Sequence, residues 1–136
     1  QEAYNMLQRE IEESKVPIAR QHGMALAAYV PLAEGVLAGR YISGIPQGSR
    51  ASLERELVDF VEANKDKVKR LKEIADSKGI KLSQLALAWL MNVDLGITVV
   101  PLIGATSVEE LEEDVDAVSV SLSRDDMKRI DEILSS

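Results

Sequence analysis

Two short stretches hold the residue types that could bind a phosphorylated or ring-bearing ligand. Gly104-Ala105-Thr106-Ser107 follows an apolar run and precedes a helical pattern. The first N–H groups of a helix lack intrahelical partners and lie at the positive end of its dipole. A phosphate or ribose oxygen binds well there. The same residues also suit a plain strand-to-helix turn, and one glycine is far weaker than a full phosphate-binding fingerprint. The second stretch is Leu32-Ala33-Glu34-Gly35-Val36-Leu37-Ala38-Gly39-Arg40. It follows the C-terminal end of a predicted strand, where α/β proteins collect ligands. Its small residues would let backbone approach a ligand, and Arg40 and Arg50 could supply charge to a phosphate. A flexible surface loop is the competing reading. Tyr29 closes the same strand; it suits stacking on a flat ring and equally suits a core position.

Other chemistry is weakly signalled. The single histidine, His22, sits near a helix C-terminus, where the dipole favours it, and has no catalytic partner nearby in sequence. The run Glu109-Glu110-Glu112-Glu113-Asp114 is most simply a solvated helix face. Absence of cysteine removes disulfides, cysteine zinc sites and thiol nucleophiles, and is compatible with a cytoplasmic setting. A net charge of −7 argues against nucleic acid as a partner. The longest apolar run, Met24 to Ala33, is far below the roughly 20 residues of a membrane span. Gln1-Glu2-Ala3 has no basic region of the signal-peptide kind.

The elements that must position these residues alternate between helix and strand. Arg9 to Gln21 reads as a helix that Pro17 kinks or delays, closed by His22-Gly23. Met24 to Val30 is a continuous apolar run ending at Pro31, the pattern of a strand buried on both faces. Leu32 to Arg50 is a long glycine-bearing connection. Ala51 to Asn64 and Lys65 to Lys78 read as helices, with Val68, Leu71, Ile74 and Ala75 on one face. Leu82 to Met91 is a more apolar helix, with Ser83 as candidate N-cap and Trp89 as its largest buried group. Ile97 to Ile103 is the clearest strand. Ser107-Val108-Glu109-Glu110 has the form of a capping box, and Ser123 opens a last helix with Met127, Ile130 and Leu134 on one face. The order defines an α/β chain of parallel strands joined by helical crossovers. Hydrophobic residues make up 46% of the chain and charged residues 29%, an ordinary globular balance. Aromatics are only 4%, so the core is predicted to be aliphatic. The length of 136 residues predicts one domain at most and falls well short of the roughly 250 of a complete (β/α)8 barrel.

The ordered motifs resemble a known family. Gln1-Glu2-Ala3-Tyr4-Asn5-Met6-Leu7, with Arg9 and Glu12, looks like Q-x-x-Y-N-L-L-x-R-x-x-E. Ala28-Tyr29-Val30-Pro31-Leu32-Ala33-Glu34-Gly35-Val36-Leu37-Ala38-Gly39-Arg40-Tyr41 looks like A-Y-S-P-L-A-x-G-x-L-T-G-K-Y, and Ser43-Gly44-Ile45-Pro46 and Gly48-Ser49-Arg50 continue the match. Ala86-Leu87-Ala88-Trp89-Leu90 resembles A-L-x-W. Val100-Pro101-Leu102-Ile103-Gly104-Ala105-Thr106 looks like V-I-P-I-I-G-A-S. These are motifs of the aldo-keto reductases, in particular the branch that includes the potassium-channel β subunits.

The resemblance implies residues 1–136 as the C-terminal part of one TIM (β/α)8 barrel domain, from the end of strand 6 through strand 8, with no second domain. It implies an NAD(P)(H)-dependent reductase of aldehydes and ketones. Gln1 would hold the nicotinamide carboxamide and Tyr29 would stack on the ring. Val30 through its backbone, Pro31, Leu32 and Ala33, with Arg40 and Arg50, would approach the pyrophosphate and adjoining groups. Gly104, Thr106, Glu110, Glu113 and Asp114 would surround the adenosine end. Three residues depart from the pattern: Val30 replaces Ser, Asp114 replaces Asn, and Glu110 stands where Gln or Arg lies near the 2′-phosphate. A carboxylate repels a phosphate and suits a free ribose hydroxyl, so NADP(H) is the family expectation, with its preference weakened by Glu110 and NAD(H) able to serve as well. The family's catalytic Asp, Tyr, Lys and His belong to the first four strands. This chain alone is therefore expected to be inactive, and to self-associate or need a complementing N-terminal half. A non-enzymatic, channel-β-like binding subunit is the alternative.

Overall fold

The computed structural model describes residues 1–136. The first strand is a stub, β1 (Glu2–Ala3). Two short helices follow, α1 (Ile11–Ser14) and α2 (Val16–Gln21). Pro17 lies in the first turn of α2, where its missing N–H costs nothing, so the expected kink is realised as a break at Lys15. Strand β2 spans Leu26–Tyr29 and β3 spans Val99–Pro101. The three strands form one parallel sheet in the order β1-β2-β3.

Between β2 and β3 lie α3 (Arg50–Leu53), α4 (Arg55–Ser77) and α5 (Leu82–Asn92). After β3 come α6 (Val108–Asp116), a 3-10 turn at Ala117–Ser119, and α7 (Arg124–Leu134). The two helices expected over residues 51–78 are one long helix from Arg55. Nothing breaks it at residue 64, where the Asn64 amide donates back to the Phe60 carbonyl at 2.9 Å. Its apolar stripe, Leu57, Val61, Val68, Leu71 and Ile74, is buried.

Helix α5 is buried almost all round, from Leu82 to Leu90. The strand β3 and helices α4 and α6 pack on its sides. Trp89 is fully buried there, its ring 5.8 Å from that of Tyr4, with the Arg9 guanidinium 5.2 Å from the Trp89 centroid. Lys81, not Ser83, caps α5: the Gln84 side chain accepts from the Lys81 N–H at 3.0 Å. Ser83 is inside the first turn and buried. At α7 the expected cap is present, with Ser123 Oγ accepting from the Asp126 N–H and Asp126 returning the bond to the Ser123 N–H.

The sheet departs from two-sided burial. Register pairs Leu26 with Val99 and Ala28 with Pro101, and this face meets the helices. Ala3, Ala27, Tyr29 and Val100 share the other face by alternation, and Tyr29 and Val100 remain 42% and 47% exposed. The strands carry apolar side chains on both sides, but the chain's own helices cover one. No helix is long and apolar enough to cross a membrane.

Candidate functional site at the strand C-terminal edge

The parallel order sends the connections after β2 and β3 out of the same edge of adjacent strands. This brings together the two stretches that chemistry singled out, although 64 residues separate Arg40 from Gly104 in sequence. Arg40 Nη2 donates to Glu110 Oε1 at 3.1 Å, joining the β2 connection to the first turn of α6.

The backbone after β2 is strained. Val30, Ala33 and Glu34 all have left-handed φ, at 47°, 48° and 55°. Such conformations are uncommon outside glycine and a genuine outlier for a β-branched residue. They persist only when surroundings hold them, and they gather at ligand sites. The holders are visible here. Asn5, fully buried, donates its amide to the Val30 carbonyl at 3.0 Å, while its own carbonyl oxygen accepts from the Leu7 and Gln8 N–H groups. Buried Tyr41 donates its hydroxyl to the Glu34 carbonyl at 3.4 Å. Pro31, Ala33, Val36 and Leu37 are buried, so the first half of this connection is packed structure rather than a free loop. Gly35, at φ 94°, lets the Arg40 side chain cross the turn; a Cβ there would lie 2.8 Å from Arg40 Cδ.

Arg50 reaches back to the same turn. Its Nε lies 3.0 Å from Glu34 Oε2 and 3.0 Å from Glu54 Oε1, which holds its guanidinium ionised. Tyr29 projects from the uncovered sheet face, and Gln1 is exposed beside β1.

On the β3 side, Ser107 caps α6 by accepting from the Glu110 N–H at 3.1 Å. Glu110 does not return this bond to Ser107. Its Oε2 accepts from the Thr106 N–H at 2.9 Å and the Thr106 hydroxyl at 3.0 Å. These bonds, with Arg40 beyond them, hold the Glu110 carboxyl below the usual carboxylate range. Gly104 takes no left-handed φ, and a Cβ added there would meet nothing within 4 Å. The Gly104 and Ala105 N–H groups make no hydrogen bond within the chain. A turn that needed glycine for its own geometry would look different; this one leaves an open approach to backbone donors.

One turn further, Asp114 is buried, and burial followed by the charges of Glu113 and Glu110 pushes its carboxyl up. Glu113 points towards α5, where the Ser83 hydroxyl donates to its carboxylate and Gln84 donates to its backbone carbonyl. The residues that sequence reasoning left out are the holders: Asn5, Tyr41, Glu34 and Ser83. A buried Asn and Tyr within otherwise apolar motifs were the available signals, but their targets are backbone carbonyls, one 25 residues away and one seven residues back in the same connection.

Chemically, the edge offers exposed guanidinium groups, free backbone N–H donors and an exposed aromatic ring. That donor set fits a ligand with phosphates and a planar ring. Parallel strands with helical crossovers and a ligand edge at the strand C-termini define an α/β unit of the barrel or doubly wound kind.

Comparison with known proteins narrows this. The aldo/keto reductase family model matches residues 1–135, and the chain belongs to that family. It is 36% identical over 140 residues to L-glyceraldehyde 3-phosphate reductase of Escherichia coli (strain K12), covering 97% of this chain and 40% of that protein. It is 42% identical over 132 residues to a probable voltage-gated potassium channel subunit beta of Arabidopsis thaliana, covering 88% and 38%. A thermostable aldo-keto reductase solved with the inhibitor epalrestat superposes with a TM-score of 0.65 at 25% identity, covering 96% of this chain and 38% of that one. The chain therefore spans about two fifths of the length of these relatives. The family and this neighbour imply a TIM-barrel fold.

Proposed function

We propose that residues 1–136 are the C-terminal, cofactor-holding part of an aldo-keto reductase barrel, from the end of its sixth strand through its eighth. The complete protein reduces aldehydes or ketones in a cytoplasmic setting. The observation that carries this reading is the Arg40–Glu110 contact, which unites the β2 and β3 connections over one strand edge. The bound nicotinamide would supply a hydride to a carbonyl carbon. Gln1 would orient the carboxamide, and Tyr29 would offer its exposed ring face. Val30, held by Asn5, with Pro31, Leu32 and Ala33, would bring backbone close to the pyrophosphate. Arg40 and Arg50 would neutralise it, each exchanging part of its present carboxylate pairing. Gly104, Thr106, Glu110, Glu113 and Asp114 would line the adenosine end. NADP(H) is the family's general cofactor, while Glu110 favours NAD(H).

No catalytic residue is assigned to this chain, since the family's proton donor belongs to earlier strands. The uncovered sheet face fits cover by those strands, supplied by a complementing N-terminal half, or by a second copy if the chain is alone. The test is carbonyl-dependent NAD(P)H oxidation by the longest protein the gene encodes, run beside the 136-residue chain. Turnover by the longer protein alone is expected; turnover by the short chain overturns the assignment. The similarity to the Arabidopsis subunit favours a second reading, a cofactor-binding assembly subunit. Cofactor binding without turnover of any carbonyl in a broad panel would support that reading instead.

A further inference from the structure

We propose that the adenosine end selects a dinucleotide with a free 2′-hydroxyl, because Glu110 places its own carboxylate where a bound anion would sit. This selectivity rests on the cofactor reading above and concerns only which dinucleotide that site takes. Three donors suited to a phosphate monoester converge beside the turn after β3: the Thr106 N–H, the Thr106 hydroxyl and, from the β2 connection, Arg40 Nη2. All three are taken by Glu110, at 2.9, 3.0 and 3.1 Å. The first turn of α6, whose dipole would favour an external anion, is thus already matched by an internal one.

The surroundings sharpen the effect. Asp114 lies one turn on, on the same helix face, and Glu113 beside it is held by Ser83 and lies 3.8 Å from Lys81. Arg40 is the cation in contact with Glu110. A 2′-phosphate would have to displace Glu110 from Thr106 or rest against it. Like charges at contact distance in water weaken binding at least about fivefold per unit of charge. A ribose hydroxyl instead donates to the carboxylate and leaves its Thr106 bonds in place.

The test is equilibrium binding by calorimetry, using the full-length protein with NADH and NADPH, and with 5′-AMP and adenosine 2′,5′-bisphosphate as probes of this end alone. NADH should bind at least about tenfold tighter than NADPH, and 5′-AMP tighter than the bisphosphate. Raising salt should narrow both gaps, since the exposed charges are screened. Glu110→Gln keeps an oxygen acceptor for Thr106 and removes the charge, so it should close most of the gap; Glu110→Arg should reverse it. Equal or tighter binding of NADPH by the wild type, or ratios unchanged in both variants, overturns the selectivity while leaving the cofactor reading intact. A folded protein that binds neither dinucleotide overturns the cofactor reading and the selectivity with it.

Discussion

Asn5 and Gly104 make opposite demands, and the difference is testable. Asn5 is fully buried and satisfies Val30, Leu7, Gln8 and the Gln8 side chain. Replacing it with Ala strands buried polar groups, so Asn5→Ala should cost about 1–3 kcal/mol in urea denaturation and loosen the left-handed turn that follows Val30. Gly104 has open space around its Cα and an ordinary φ. Gly104→Ala should change stability by less than about 0.5 kcal/mol while weakening dinucleotide binding severalfold, read by calorimetry on the full-length protein. Binding unchanged by Gly104→Ala would remove this turn from the site. The candidacy of Gly104 was legible from its place between a strand and a capped helix, although the same residues suit a plain turn. The value of Asn5 was not, because its partner at Val30 is 25 residues away and is a carbonyl, which leaves no trace in residue type.

Helices α6 and α7 carry carboxylates whose environments push in opposite directions. Asp126 accepts from the Ser123 N–H and lies 2.7 Å from Lys78, and these partners, Lys78 first, lower its pKa. A lowered carboxylate stabilises the fold above its unfolded value of about 3.9, and this stabilisation is lost as pH falls through the lower folded value. Asp126→Asn should therefore reduce stability at pH 7 and flatten the acid limb of a pH–stability curve. Asp114 is raised by burial, so its sign is reversed. Its favourable term is present below about pH 3.9 and is lost as pH rises through the folded value. Asp114→Asn should raise stability at pH 7, and a decrease would show that the Asp114 charge is satisfied after all. Removing the Ser123 cap with Ser123→Ala should cost about 1 kcal/mol. At this scale the Ser107 cap, the full capping box at Ser123 and the Pro17 break were readable, because each is a local rule; the return bond of a Ser107 box is not formed, since Glu110 turns to Thr106. The Ser83 cap failed for a tertiary reason: Glu113 of α6 takes the hydroxyl, and Gln84 serves the Lys81 N–H.

The molecule as a whole is a three-stranded sheet with helices on one face and apolar side chains on the other. Met24, Tyr29, Val100, Leu102 and Ile103 are all exposed, and β1 and β3 are free edges. Free edges and apolar faces favour association. Sedimentation of the 136-residue chain should show concentration-dependent species above the monomer; a soluble monomer at all concentrations with a cooperative melt would contradict this. The parallel α/β order was readable from apolar runs alternating with helical periods. One-sided burial was not, since a strand's composition records what its faces are suited to meet, not what one chain supplies. The candidate site was readable from chemistry as two separate loops, which the family resemblance gathered around one cofactor; the sheet order shows that they share an edge. The most direct test of that shared edge is hydrogen exchange of the full-length protein with and without NADH. Slowed exchange at residues 29–40 and 103–114, the two segments flanked by the Gln1 and Arg50 contacts, is the predicted result. Protection that bypasses both segments would contradict the account.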